Sequence, residues 1–129
     1  MIVEKISEQV AKEFIKQHNF NLFLNSGQEG TKYEFTYRGD QYSWYGIFDK
    51  ESLVAIQVIK ILEDNKIHLV ALQKISTTQH GVFEAVLDYF KNYTLLLEAY
   101  YPGLQKMYEN LGFTKVKGYY YKYIRTNKI

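Results

Sequence analysis

The spacing of apolar residues changes once along this chain, near Ile75, and that change limits the folds open to it. Before Ile75, β-rich runs are separated by short polar turns, which is typical of an antiparallel meander. The strands predicted in this block are Tyr33 to Tyr37, Tyr42 to Phe48, Leu53 to Leu62 and Ile67 to Ile75. After Ile75, a helical pattern at Val82 to Phe90 leads into a strand at Thr94 to Tyr100. A strand, helix, strand order of this length predicts a right-handed crossover between parallel strands. The sequence therefore predicts one α+β domain with a mixed β-sheet.

The N-terminal segment adds a strand and a helix to this pattern. Ile2 to Lys5 is short and apolar enough for a first strand. Ser7 suits the N-cap of a helix, and Glu8 in its first turn favours the positive end of the helix dipole. Apolar residues at helical spacing continue to about His18.

The segment from Leu104 to Phe113 combines a helical face, a stop signal and a returning strand. The apolar residues of that face, at i, i+3, i+4 and i+7, are Leu104, Met107, Tyr108 and Leu111. Gly112 occupies the position of the left-handed residue that often ends a helix, and Phe113 begins the apolar strand that follows. Two short final strands are predicted at Phe113 to Val116 and Tyr119 to Ile124.

Composition excludes several classes of function. The chain has 129 residues, about one domain, and we expect residues 1–129 to form it. A net charge of +2 without a basic patch argues against a nucleic-acid partner. There is no cysteine, and the three histidines match no metal-ligand spacing, so no metal site is expected. The first residues lack the apolar core of a signal peptide, and no segment approaches the roughly 18 apolar residues of a membrane span. We expect a soluble, cytoplasmic protein.

The order of elements, together with the pattern Tyr108, two residues, Leu111-Gly112-Phe113, resembles the GNAT family of N-acetyltransferases. The resemblance covers nearly the whole chain in organisation, and it reaches the level of motifs from about Ile67 to Phe113. It implies a GNAT-like (acyl-CoA N-acyltransferase) fold, in which helices flank a mixed central β-sheet. It also implies transfer of an acetyl group from acetyl-coenzyme A, the co-substrate, to a primary amine. The amine acceptor is not identified by the sequence, and a homodimer is left open.

The resemblance places the acetyl-coenzyme A site on the strand before Ile75 and in the loop after it. In the family this loop reads Gln or Arg, two residues, Gly, any residue, then Gly or Ala. The corresponding residues here are Thr78, Gln79, His80, Gly81, Val82 and Phe83. Gly81 matches, whereas Thr78 and Phe83 depart from the pattern. Free backbone N–H groups at a helix N-terminus would hold the pyrophosphate; the alternative is that Gly81 only relieves a strand-to-helix turn.

Three further residues are implied to pair with the pantetheine arm through their backbone. They are Ala71, Leu72 and Gln73, which precede the loop on the strand Ile67 to Ile75. Their side chains carry no signature of their own, so this assignment depends on the resemblance.

Tyr108 corresponds to the family's proposed general acid, which returns a proton to the coenzyme A thiolate. A tyrosine suits this task because its ordinary pKa, about 10, lies slightly above that of an alkyl thiol. The alternative is an amphipathic ring that packs on the sheet with its hydroxyl toward solvent. For the general base, Glu98 and His68 are the nearest candidates by position, and we favour Glu98; a water chain could serve instead.

A second class of function stays open at this point. Thr78 and Phe83 depart from the cofactor loop, and Tyr101 occupies a position where the family usually has an asparagine that contacts the cofactor. These departures motivate a catalytically silent binding or regulatory protein that keeps the GNAT-like fold.

Overall fold

The computed structural model of the protein describes residues 1–18, 24–25, 34–35, 40–63, 65–76 and 79–126, with the backbone alone at 24–25 and 34–35. Its elements in chain order are β1 (Ile2–Ile6), α1 (Glu8–His18), β2 (Leu24–Asn25), β3 (Glu34–Phe35), β4 (Tyr42–Asp49), β5 (Ser52–Ile61), β6 (Lys66–Lys74), α2 (Val82–Tyr89), β7 (Thr94–Glu98), α3 (Pro102–Asn110), β8 (Thr114–Lys115) and β9 (Lys122–Arg125). Thr78 lies outside the described residues, as does most of the strand predicted at Tyr33 to Tyr37.

Seven of the strands form one mixed β-sheet, in the order β1-β4-β5-β6-β7-β9-β8. Neighbouring strands are antiparallel except β6 and β7, which run parallel and are joined through α2. The predicted antiparallel meander and parallel strand, helix, strand unit are both confirmed, and so is the α+β class. β2 and β3 pair in a separate two-stranded sheet, and β2 is an addition to the strands predicted from the sequence.

The two faces of the large sheet carry separate groups of buried side chains. Alternate residues of β5 show this, because Ala55 and Ile59 belong to one group while Ile56 and Val58 belong to the other. The buried residues that α2 adds to the first group are Val82, Val86 and Leu87, and those that α1 adds to the second are Ala11, Phe14 and Ile15. Helices therefore flank the sheet on both sides, as predicted.

The start of α1 and the end of α3 follow the predicted local chemistry. The backbone N–H of Val10 donates to Ser7 Oγ at 3.1 Å, so Ser7 caps α1. Gly112 follows α3 with a φ of +95°, in the left-handed region that glycine adopts without steric cost. Pro102 occupies the first turn of α3, where its missing N–H costs nothing.

The apolar face of α3 packs against the core through Tyr108, which is partly buried there, and not along its whole length. No residue of α3 is buried, and Leu104 and Met107 are 39% and 41% exposed. Polar contacts also hold the helix: Gln105 Nε2 donates to the carbonyl oxygen of Ala99 at 2.8 Å, and the Tyr123 hydroxyl donates to Glu109 Oε1 at 3.3 Å. Leu104 and Met107 are consequently free to line a cavity.

Candidate functional site

The parallel strands β6 and β7 separate soon after they meet. Within the described residues they pair at only three positions, Lys66 with Thr94, Ile67 with Leu95 and His68 with Leu96. Beyond them, β6 continues to Lys74, and no described strand pairs with it on that side. The space between the strands is a cleft of about 620 Å³. This lies within the range of roughly 300–1,000 Å³ that is common for small-molecule sites.

A β-bulge in β6 lies next to the point of separation. Val58 of β5 pairs with Ala71, but the next residue, Ile59, pairs with Leu69, so Val70 is an extra residue in β6. A bulge bends its own strand and disturbs the ladder locally. Because it follows the last β6–β7 pair by two residues, this bulge accounts for the course of β6 away from β7.

The N-terminus of α2 opens at one end of the cleft. Gly81 is its N-cap residue, with a φ of +83° and, among the described residues, no side-chain hydrogen bond that caps the helix. The first bond of the helix runs from the Ala85 N–H to the Gly81 carbonyl oxygen at 3.0 Å. The N–H groups of Val82, Phe83 and Glu84 therefore have no acceptor within the helix. Together with the helix dipole, they form a place for an anion.

Lys74 brings a positive charge to the same end of the cleft. Its Nζ donates to the carbonyl oxygen of Gln79 at 2.9 Å, which ties the end of β6 to the loop before α2. Gln79 in turn donates from its backbone N–H to the Ser76 carbonyl oxygen at 3.2 Å. The carboxylate of Glu84, also in the cleft wall, opposes an anion there, and Lys74 offsets that charge.

Tyr108 also lines the cleft, and its ring lies between two phenylalanine rings. Its ring centroid is 5.2 Å from that of Phe83 and 5.8 Å from that of Phe113. Burial raises the pKa of the Tyr108 phenol above its ordinary value of 10.0. The hydroxyl is therefore protonated at neutral pH and can donate its proton. Phe83, at a position where the family pattern has a small residue, supports the tyrosine ring.

Glu98 and His68 are close enough to influence each other. Glu98 lines the cleft, and its carboxylate accepts a hydrogen bond from the Tyr100 hydroxyl. Burial lowers the pKa of His68 below its ordinary value of 6.5, and the Glu98 charge opposes that shift. His68 is consequently neutral at pH 7, but it does not line the cleft within the described part of the chain.

Most of the side chains predicted for the site meet in this cleft. Those that line it are Ala71, Leu72, His80, Gly81, Val82, Phe83, Glu98 and Tyr108. Gln73 and Gln79 are not among its described lining residues, and Thr78 lies outside the described residues. The lining residues that sequence reasoning did not assign to the site include Gln57, Lys74, Leu104 and Met107. The sequence signal for Gln57 is an amide in the middle of an otherwise apolar strand.

The described residues contain neither a cluster of metal ligands nor a membrane-spanning helix. No group of three or more histidine and acidic residues there could hold a metal ion. No helix in that part of the chain is long and apolar enough to cross a membrane.

Comparison with known proteins gives matches in structure alone. No protein-family model matches the chain, and no curated protein matches it. A protein of the GNAT family from Bacteroides thetaiotaomicron matches with a TM-score of 0.70 and 16% identity, over 100% of this chain and 89% of that one. The chain has the GNAT fold. This confirms the fold predicted from the resemblance.

Two GNAT-fold proteins from Escherichia coli match as completely. The ribosomal-protein-S18-alanine N-acetyltransferase has a TM-score of 0.65 and 11% identity, over 99% of this chain and 94% of that one. YhhK bound to coenzyme A has a TM-score of 0.62 and 16% identity, over 97% of each chain. At identities this low, the structural matches establish the GNAT fold alone. The activity therefore has to be argued from the cleft itself.

Proposed function

We propose that the protein is an N-acetyltransferase that transfers the acetyl group of acetyl-coenzyme A to a primary amine. One observation carries the proposal: the diverging strands, the N-terminus of α2 and the partly buried Tyr108 all belong to the same cleft. An anion site, a largely apolar cleft and a proton donor are what a long, phosphate-bearing thioester requires.

The chemistry of the cleft suits two parts of coenzyme A, the diphosphate and the pantetheine arm. The N–H groups at the start of α2 and the Lys74 ammonium suit the diphosphate. The backbone of β6 at Ala71, Leu72 and Gln73 suits the two amides of the pantetheine arm, as an added strand would. The coenzyme A complex of YhhK, a protein of the same fold, supports this assignment.

Acetyl-coenzyme A supplies the activated acyl group, and the residues of the protein move the protons. The amine nitrogen attacks the thioester carbonyl carbon, so that a C–N bond forms and the C–S bond breaks. Glu98, directly or through a water, accepts the proton that the amine loses. Tyr108 donates its phenolic proton to the departing thiolate and regains one from solvent. Backbone N–H groups of β6 next to the bulge at Val70 would polarise the carbonyl oxygen.

Release of free coenzyme A thiol tests this function. With acetyl-coenzyme A and a panel of small amines, amino acids and peptides with free N-termini or lysines, we expect at least one acceptor to raise thiol release above background hydrolysis. The acetylated product should be detected by mass spectrometry with the same acceptor.

The same assay separates the enzyme from a silent protein with the GNAT fold. If acetyl-coenzyme A binds but no acceptor in the panel raises thiol release, the binding or regulatory function would be favoured. The departures at Thr78, Phe83 and Tyr101 would then mark the loss of turnover.

A further inference from the structure

Gln57 is the only buried amide or charged residue in the part of the chain that the structure describes. It lies in the middle of β5 and is 1% exposed. A side-chain amide has two N–H donors and one oxygen acceptor, and buried polar atoms are almost always paired. The partners of Gln57 therefore indicate what it does.

The nitrogen of this amide is fully used. Gln57 Nε2 donates to the carbonyl oxygens of Val58 and Ala71, at 2.9 Å each. Val58 and Ala71 face each other across β5 and β6, immediately before the bulge at Val70. Gln57 thus ties the two strands together where the ladder becomes irregular. Two bonds to carbonyl oxygens also identify this end of the amide as the nitrogen.

The oxygen of the same amide is buried and has no hydrogen-bond partner in the described part of the chain. Gln57 lines the cleft and shares its side of β5 with Ala55 and Ile59, the side that α2 covers. Phe83 and Tyr108 pack against the same group of residues. This cleft therefore contains both the Gln57 acceptor, which has no partner among the described residues, and the proposed proton donor Tyr108.

We propose that Gln57 is a positioning residue for the acyl donor, and that its Oε1 accepts a hydrogen bond from an N–H or O–H group of the pantetheine arm. Its Nε2 meanwhile holds the bulged part of β6 in place. The proposal rests on the proposed function, which puts coenzyme A in this cleft. Most of the other side chains that line the cleft are apolar. The buried acceptor of Gln57 therefore sets the position of the pantetheine arm along the cleft.

Two ligands that differ only in the pantetheine arm test the proposal. By calorimetry, Gln57→Met should bind coenzyme A about tenfold more weakly than the wild type, because one buried hydrogen bond to the arm is lost. The same variant should bind adenosine 3′-phosphate 5′-diphosphate, which is coenzyme A without the arm, with unchanged affinity. Methionine keeps the length of the side chain and removes its acceptor.

Gln105→Met is the matched control. It removes a glutamine whose Nε2 also donates to a backbone carbonyl oxygen, that of Ala99, and Gln105 does not line the cleft among the described residues. We expect this variant to bind coenzyme A as the wild type does. A loss of affinity equal to that of Gln57→Met would overturn the proposal. Breaking any hydrogen bond from a side chain to the backbone would then weaken coenzyme A binding equally.

The remaining outcomes separate Gln57 from the proposed function. If the wild type does not bind coenzyme A, the proposed function fails; if it binds and Gln57→Met binds equally well, the inference alone fails. Weakened binding of both ligands would also overturn it, since the damage would then not be specific to the arm. Should Gln57→Met not fold, the side-chain amide signals of Gln57 in the wild type answer the question by NMR: coenzyme A should move them, and no movement would contradict the proposal.

Discussion

Replacing Tyr108 with phenylalanine is expected to lower kcat by about 100-fold while leaving the Kd for acetyl-coenzyme A unchanged, because a positioned general acid contributes roughly 10²–10⁴ in rate. Phenylalanine keeps the ring between Phe83 and Phe113 and removes only the hydroxyl. The thiolate would then have to leave without a proton from the protein. Steady-state kinetics with thiol detection, together with calorimetry, measure the two quantities separately.

Tyr89→Phe is the control for this experiment. Tyr89 is an exposed tyrosine of α2 that packs on Tyr45 and Phe90, and it is not among the described residues that line the cleft. Its kcat should equal that of the wild type. If Tyr108→Phe turned over as fast as Tyr89→Phe, Tyr108 would have no part in proton transfer, and its role would be packing alone.

Replacing Phe113 with alanine is expected to lower the free energy of unfolding by about 3–5 kcal/mol, the usual cost of removing a buried phenylalanine ring. Phe113 is 2% exposed and belongs to the group of buried residues on the α2 side of the sheet. Its ring also contacts that of Tyr108, so the cavity would form directly behind the proposed acid. Urea unfolding followed by circular dichroism measures the change.

Phe83→Ala is the matched comparison for stability. Phe83 contacts the same Tyr108 ring at 5.2 Å, but it is only partly buried and lines the cleft. Its loss should destabilise the protein by clearly less than the loss of Phe113. Equal losses would mean that contact with the Tyr108 ring, rather than burial in the core, determines the stability of this region.

The fold was predictable because its signals are local and agree with one another. The change of period near Ile75 predicted the meander and the parallel crossover, and the φ of +95° at Gly112 bears out the predicted end of α3. Periodicity does not distinguish an apolar side chain in a core from one that lines a cleft. Leu104 and Met107 fit a helical face, yet both are exposed in the cleft wall.

The candidate site was predictable mainly where the resemblance supplied a motif. Gly81 and Tyr108 could be singled out because they match residues of the GNAT motifs. Gln57 and Lys74 could not, since their roles depend on partners contributed by other segments. The role proposed for the Gln57 amide depends on the bulge at Val70. That bulge is a feature of the register between β5 and β6, and the sequence of one strand alone does not determine the register.

The central claim, that this cleft binds acetyl-coenzyme A, is tested most directly by thermal melting with and without that compound. At about 100 times its Kd, a ligand specific for the folded state adds about 2.7 kcal/mol of stability. For a chain of 129 residues this corresponds to a rise in Tm of roughly 8–12 °C. We expect such a rise with acetyl-coenzyme A and a smaller one with adenosine 3′,5′-bisphosphate. An unchanged Tm at millimolar acetyl-coenzyme A would contradict the account.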